Sequence, residues 1–286
     1  MALHQRLALC ASALGLALLS AQAQAGVFEL DTFAVTRNGT TIFTDTFSDG
    51  APPPSAPNFN DGTAASYSVF GTAGPESGGL LTLNTANGGL TTNAAGDARL
   101  TIRAALDTNT SNDPALLNRG LKDDDVLRLR GLFNLGVPVG PQLNGYGIRF
   151  SDRALGVVNQ VADLLVRFDP VTGKTQITWS LQDFASGVVT GVGFADLLVP
   201  EGADQIQLQI DRPDVTSKDF FASWSFLDGG VVKGSGSFAT GIGLFDGERF
   251  VRAEFLAFSS VPLPGTVWLL GAGLLAGLGF ARRRRA

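Results

Sequence analysis

Alternation of apolar and polar residues recurs along most of the chain and predicts β-strands. The clearest run is Gln205 to Asp211, in which Ile206, Leu208 and Ile210 alternate with polar residues, three of them glutamines. Successive side chains of a strand point to opposite faces, so this run has one dry face and one wet face. That pattern is typical of an antiparallel sandwich. Similar alternation occurs over residues 27–33, 97–103, 126–133 and 249–258.

Turn residues join several of these runs into hairpins. The pair Asn38-Gly39 favours a two-residue turn, because both residue types tolerate positive φ. It predicts a hairpin of strands 33–36 and 41–46. Two further hairpins are predicted, of 164–168 with 175–181 and of 220–227 with 231–238.

Residues 26–260 are predicted to form one all-β domain, an antiparallel β-sandwich, because neither a repeat nor a linker interrupts them. One short helix is expected over 114–119, with Asp113 as its N-cap and Gly120 as its stop. Trp179 and Trp224 lie within strand runs, where packing in the core is expected.

The N-terminus has the three parts of a secretory signal peptide. A basic start with Arg6 precedes an apolar run from Leu7 to Leu19 and Ala-x-Ala sites that end at Ala25. We expect residues 1–25 to form a signal helix that directs export through the Sec translocon. Cleavage is expected between Ala25 and Gly26, with cleavage after Ala23 as the alternative.

The leader contains the single histidine and the single cysteine of the chain, His4 and Cys10. The mature protein is therefore expected to lack both residue types. Their loss excludes a Ser-His-Asp triad, a cysteine nucleophile, a disulfide, and a zinc or haem site with His or Cys ligands.

The C-terminus, residues 261–286, has an equally distinct pattern. Fifteen uncharged residues, Val267 to Ala281, predict a short transmembrane helix when they are extended by the residues before them. The positive-inside bias places the arginines that follow in the cytoplasm and the body outside it. The flanking residues are a proline motif, Val261, Pro262, Leu263 and Pro264, and a stop-transfer cluster, Arg282, Arg283, Arg284 and Arg285.

This tail resembles the PEP-CTERM sorting signal of Gram-negative bacteria, with Leu263 in place of the usual glutamate between the prolines. The resemblance implies transient single-pass insertion in the inner membrane and removal of the tail by exosortase. It further implies delivery of the body to the cell surface or the extracellular matrix, in hosts that make an exopolysaccharide. An ordinary single-pass anchor is the alternative, and it stays open here.

The body of the chain, residues 26–260, is strongly acidic. Sixteen of the 21 basic residues and all 26 acidic residues lie between positions 26 and 260, so this segment carries ten net negative charges. Such a surface repels nucleic acid and attracts divalent cations. No cofactor is expected. Calcium is a candidate ligand, because Asp107, Asn109 and Asp113 place oxygen ligands at alternate positions.

Two segments, Thr44 to Gly50 and Gly78 to Leu83, resemble parts of concanavalin A-like (laminin G-like) jelly rolls. The resemblance implies that the first strand, 27–35, pairs with the last, 249–259. Some enzymes of that fold are glycosidases that use two carboxylates of one strand. Glu29 and Asp31 share a strand face, but we expect them on the wet face of an edge strand.

The sequence therefore predicts a non-enzymatic, exported structural or interaction protein of the cell surface or biofilm matrix, with exopolysaccharide as a possible partner. The alternative is a carbohydrate-binding or glycoside-hydrolysing jelly roll anchored in the inner membrane. Lectin-like binding uses an exposed aromatic platform, and Tyr146 between Gly145 and Gly147 is one candidate for it. The same three residues equally suit the start of a strand.

Overall fold

The computed structural model describes residues 26–107, 121, 125–140, 142–152, 160–216, 219–243 and 251–261. Over these residues the chain forms an antiparallel sandwich of two sheets, which confirms the predicted all-β class. The sandwich lies within one compact unit, Ala25–Ser260. A single turn of 3₁₀-helix, Thr85–Asn87, is the helical structure within the described residues.

The first sheet has nine strands within the described residues, in the order β15-β14-β13-β8-β1-β5-β4, with β2 beside β1 and β16 beside β14. The strands are β1 (Val27–Arg37), β2 (Thr40–Asp45), β4 (Glu76–Ser77), β5 (Leu80–Asn84), β8 (Leu127–Asn134), β13 (Gln205–Arg212), β14 (Asp219–Asp228), β15 (Val231–Ser237) and β16 (Ile242–Gly243).

The second sheet has eight strands in the same part of the chain, in the order β12-β11-β10-β9-β17-β7-β3, with β6 beside β7. The strands are β3 (Tyr67–Phe70), β6 (Gly89–Thr92), β7 (Ala98–Leu106), β9 (Asn144–Asp152), β10 (Gln160–Asp169), β11 (Lys174–Asp183), β12 (Val188–Asp196) and β17 (Val251–Ser260).

All three predicted hairpins are present, as β1–β2, β10–β11 and β14–β15. Asn38 and Gly39 have φ values of 50° and 79°, which are the positive values that a type I′ turn requires. On β13 the burial of the side chains alternates as predicted. Ile206, Leu208 and Ile210 are fully buried, and the polar residues between them are half-buried.

An aromatic cluster joins the two sheets through the core. Phe33 of β1 and Phe255 of β17 have ring centroids 5.1 Å apart. Tyr67 contacts both rings, at 6.3 and 5.5 Å, and Phe47 lies 5.8 Å from Phe255. Edge-to-face and tilted contacts of this kind contribute beyond the burial of apolar area, so the cluster fixes how the sheets face each other.

The predicted pairing of the first strand with the last is wrong. β1 bonds to β5 and β2 on one side and to β8 on the other, and β17 bonds to β9 and β7. Both edges of each strand are therefore occupied within its own sheet. The two strands meet face to face across the core instead, so the sandwich is confirmed without the jelly-roll connection of its ends.

Candidate functional site

Polar side chains predominate on the outward face of the strands β13, β8 and β1 of the nine-stranded sheet. Apolar residues of β13 and β8 point into the core, so the residues that alternate with them point outward. Arg128 and Arg130 are exposed there, and the neighbouring glutamines are half-buried. We call this surface the amide face. It comprises Glu29, Asp31, Arg128, Arg130, Asn134, Gln205, Gln207, Gln209 and Asp211.

Hydrogen bonds run between neighbouring strands of the amide face. Arg130 Nε donates to Gln209 Oε1 at 2.6 Å. Gln209 in turn donates to Asp211, which also forms an ion pair with Arg128. Partial burial, followed by the nearby charge of Arg128, lowers the pKa of Arg130 from its usual value. The face thus presents amide and guanidinium donors beside amide and carboxylate acceptors.

Glu29 and Asp31 lie on the amide face, but not on an edge strand as expected. β1 is an interior strand, because β5 and β8 both bond to it. Asn134 Nδ2 donates to Glu29 Oε2 at 2.8 Å, and Gln205 Nε2 donates to Asp31 Oδ2 at 3.2 Å. Amides hold both carboxylates, so each serves as a hydrogen-bond acceptor within the array.

A cleft of about 270 Å³ lies where the β1–β2 hairpin meets residues 59–61. Asn60 fixes this junction, because its side chain donates to Thr41 O at 2.7 Å and its backbone N–H donates to Ile42 O at 2.9 Å. Thr36, which is opposite Arg128 in the sheet register, lies 3.3 Å from Thr41 between hydroxyl oxygens. One residue of the cleft lining, Thr41, therefore adjoins the outward face of the sheet beside Arg128. The cleft lining is Arg37, Thr40, Thr41, Ile42, Phe59, Asn60 and Asp61.

A pair of acids lies at another corner of the same sheet. Burial, followed by its hydrogen bond with Asp49 and the negative charges of Asp49 and Asp45, raises the pKa of Glu76 to about 7. The backbone N–H of Ala51, followed by Glu76, lowers the pKa of Asp49. The pKa values of the two carboxyl groups are thus displaced in opposite directions, so the pair favours a proton on Glu76 and a charge on Asp49.

This pair makes stability depend on pH in a defined direction. The pKa of Glu76 in the folded protein is raised above its ordinary value of 4.5, so the folded state holds the proton more tightly. Its stabilising effect is complete below about pH 4.5 and is lost as the pH rises to about 7. In Glu76→Gln, which cannot ionise, we expect melting temperatures to fall less than those of the wild type between pH 4.5 and 8. If the melting temperatures of the two proteins changed equally with pH over this range, the result would contradict the raised pKa of Glu76.

Three charged residues form a row across the outward side of the eight-stranded sheet. The register places Asp163 of β10 opposite Arg149 of β9, and Arg149 opposite Glu254 of β17. Arg149 Nε and Asp163 Oδ1 are 2.7 Å apart, and Ser151 Oγ donates to Glu254 Oε1 at 2.7 Å. Gln182 donates to Asp163 as well. We call Asp163, Arg149 and Glu254 the charged row.

The charged row is closed to solvent. Asp163 is 0% exposed, Glu254 1% and Arg149 8%. Burial raises the pKa of Asp163 more than the charge of Arg149 lowers it. Arg103 Nε lies 3.6 Å from Glu254 Oε2 and adds a second positive charge. Because Arg149 lies opposite an acid on each neighbouring strand and all three residues are buried, the row favours one strand register and is not an open binding surface.

The calcium candidates are only partly described. Asp107 accepts a hydrogen bond from Ser68 Oγ at 3.2 Å and lies 3.9 Å from Arg252 Nη2. Asn109 and Asp113 lie outside the described residues, as does the expected helix 114–119. Within the described ranges, no group of three or more acidic, His or Cys side chains has the arrangement of a metal site. Calcium binding stays a prediction.

The aromatic candidates for glycan binding are internal. Tyr146 is fully buried between Phe28 and Phe133, at 4.8 Å from each ring. Gly145 to Gly147 are thus part of strand β9, as the strand interpretation of these residues predicted. Trp179 is fully buried, as predicted, and Trp224 is half-buried against the core. Among the described residues, no tryptophan or tyrosine is exposed.

The structure describes the first and last residues of the body but not the terminal segments beyond them. Gly26 N–H donates to Thr85 Oγ1 at 2.9 Å, and Gly26 O accepts from Thr85 N–H at 3.0 Å. Residues 1–25 and 262–286 lie outside the described part, and with them the predicted signal helix and transmembrane helix. Over the residues that are described, no helix has the length and apolarity to span a membrane.

Comparison with protein families decides the nature of the C-terminus. The family model of the PEP-CTERM protein-sorting motif matches residues 260–285. The chain carries a PEP-CTERM sorting motif. The match contains Val261 to Pro264 and the arginines Arg282 to Arg285, so Leu263 in place of glutamate does not prevent recognition by the family model. The PEP-CTERM motif implies exosortase-dependent sorting of a secreted surface protein. No curated protein matches the chain.

Proposed function

We propose that the protein is a non-enzymatic interaction protein of the cell surface or biofilm matrix, and that its amide face binds extracellular polysaccharide. The PEP-CTERM motif supports the location, because it implies delivery of the body to the surface. The observation that carries the binding role is the amide face itself. It is an accessible array of side-chain donors and acceptors at the centre of a nine-stranded sheet.

The chemistry of this face suits a hydroxyl-rich polymer. Planar amide, carboxylate and guanidinium groups form paired hydrogen bonds with neighbouring hydroxyls, and here they recur on the adjacent strands β13, β8 and β1. Each hydrogen bond contributes only about 0.5–1.5 kcal/mol. Affinity then depends on many repeats of a weak contact, which a polysaccharide chain supplies.

The carboxylates of the amide face support binding rather than hydrolysis. Asn134 and Gln205 each donate to one acid, so Glu29 and Asp31 are held as acceptors. A glycosidase instead places two carboxyl groups on either side of the scissile bond. We expect the protein to bind the polysaccharide and to leave its chain length unchanged.

The binding role is tested with a variant that removes three side chains of the amide face, Arg130→Ala, Gln207→Ala and Gln209→Ala. We expect its affinity for the purified exopolysaccharide of the producing host to fall about 10- to 100-fold, since several hydrogen bonds are lost. Calorimetry with the secreted protein gives this measurement. Lys233→Ala, which removes an exposed cation at the edge strand β15, is the matched control and is expected to bind like the wild type.

Two results would overturn the proposal. Equal affinity of the triple variant and the wild type would show that the amide face does not bind the polymer. Release of new reducing ends during incubation would show that the protein is a hydrolase.

A further inference from the structure

The cleft at the β1–β2 hairpin has the features of a site for one sugar ring. Its lining combines two apolar residues, Ile42 and Phe59, with three polar ones, Thr40, Thr41 and Asn60. A pyranose ring has the matching division, since its C–H faces are apolar and its rim consists of hydroxyls. Small-ligand sites have this composition in general, a mainly apolar wall with a few placed polar groups.

The size of the cleft favours a single ring. Sites for drug-sized ligands enclose about 300–1,000 Å³, and the cleft encloses about 270 Å³. Arg37 and Asp61 contribute one charge of each sign to the lining, so the site has no net preference for a charged ligand.

The cleft is also built from well-fixed elements. Phe59 packs against Phe43 with ring centroids 5.7 Å apart, so the apolar wall is an extension of the core. Two hydrogen bonds hold Asn60 against β2, and Asn38 Nδ2 fixes the hairpin turn by donating to Asp125 Oδ1 at 2.8 Å. A site on fixed elements loses little conformational entropy when it is occupied.

The position of the cleft gives it a role. Asp211, Arg128 and Thr36 lie opposite one another on β13, β8 and β1, and Thr36 is opposite Thr41 at the cleft. From this geometry we infer that the cleft is an anchoring subsite, which holds one sugar unit of a polysaccharide chain while the chain lies along the amide face. The inference rests on the proposed function and adds the place where a single unit is recognised.

A plug at the mouth of the cleft tests this inference. Thr40 is exposed at the start of β2, so Thr40→Trp fills the cleft without removing a core side chain. Val171→Trp is the matched control, because Val171 is 92% exposed at the tip of the β10–β11 hairpin in the other sheet. Both variants are checked for wild-type melting temperature. A second variant, Asp61→Asn, removes a negative charge from the cleft lining and adds no volume.

The probe is the purified exopolysaccharide of the producing host, measured by calorimetry. We expect Thr40→Trp to bind at least ~10-fold more weakly than the wild type, and Val171→Trp to bind within about 2-fold of it. Asp61→Asn is expected to show a smaller loss that persists in high salt.

The outcomes separate the subsite from the proposed function. Wild-type affinity of Thr40→Trp, with loss in the triple variant of the amide face, would overturn the subsite and leave the binding role standing. Equal losses in Thr40→Trp and Val171→Trp would also overturn it. Absence of binding by the wild type would overturn both proposals.

Discussion

Replacement of Arg149 by methionine is expected to destabilise the sandwich by about 3–5 kcal/mol. The reason is the burial of its two neighbours, since Asp163 and Glu254 are 0% and 1% exposed. Without Arg149, Asp163 stays buried after losing the cation of its ion pair, whereas Glu254 keeps Arg103 beside it. Breaking a buried ion pair on one side costs far more than the pair itself contributes, because a lone buried charge has lost its hydration.

Chemical denaturation of the secreted protein measures this cost, with Arg128→Met as the matched control. Arg128 also forms an ion pair, with Asp211, but its side chain is 44% exposed and water replaces the lost partner. We expect the control to lose less than about 1 kcal/mol.

A third variant separates lost charge pairing from lost packing. Arg149→Met combined with Asp163→Leu and Glu254→Leu removes all three charges of the row, and we expect it to recover most of the lost stability. A loss below about 1 kcal/mol in Arg149→Met alone would contradict the buried charged row.

Local patterns were sufficient to predict much of the sandwich. The alternation from Gln205 to Asp211 predicted both the strand and its solvent-facing glutamines, because this pattern depends on a single strand and not on its neighbours. Asn38-Gly39 predicted the β1–β2 hairpin for the same reason, since the turn is set by its two residues.

Features that depend on strand order were not predictable in this way. Asp163, Arg149 and Glu254 lie on three separate strands and meet only because β9 lies between β10 and β17. The available signal was one charge within an apolar run, as in Val161-Ala-Asp-Leu-Leu-Val166. The wrong pairing of β1 with β17 has the same origin, because a pattern along one strand does not specify its neighbours.

The second large effect concerns the tail. Replacing the cluster Arg282 to Arg285 with alanine is expected to reduce the protein at the cell surface at least ~10-fold. We expect the four arginines to hold the end of the apolar stretch on the cytoplasmic side, and alanines supply no such barrier. Surface labelling of intact cells, compared with total protein, measures the fraction delivered.

The matched control replaces the same four arginines with lysine. Lysine keeps the positive charge and is expected to retain membrane topology. Surface delivery of the lysine variant together with loss of the alanine variant would assign the effect to charge. Normal delivery of the alanine variant would show that sorting does not need the cluster.

Mass spectrometry of the mature C-terminus tests sorting most directly. The match of the PEP-CTERM motif to residues 260–285 predicts that exosortase removes the tail near Val261 to Pro264. We expect the protein recovered from the cell surface to end in this region and to lack Arg282 to Arg285. Recovery of surface protein that carries only the intact tail would contradict sorting by cleavage and indicate an ordinary membrane anchor.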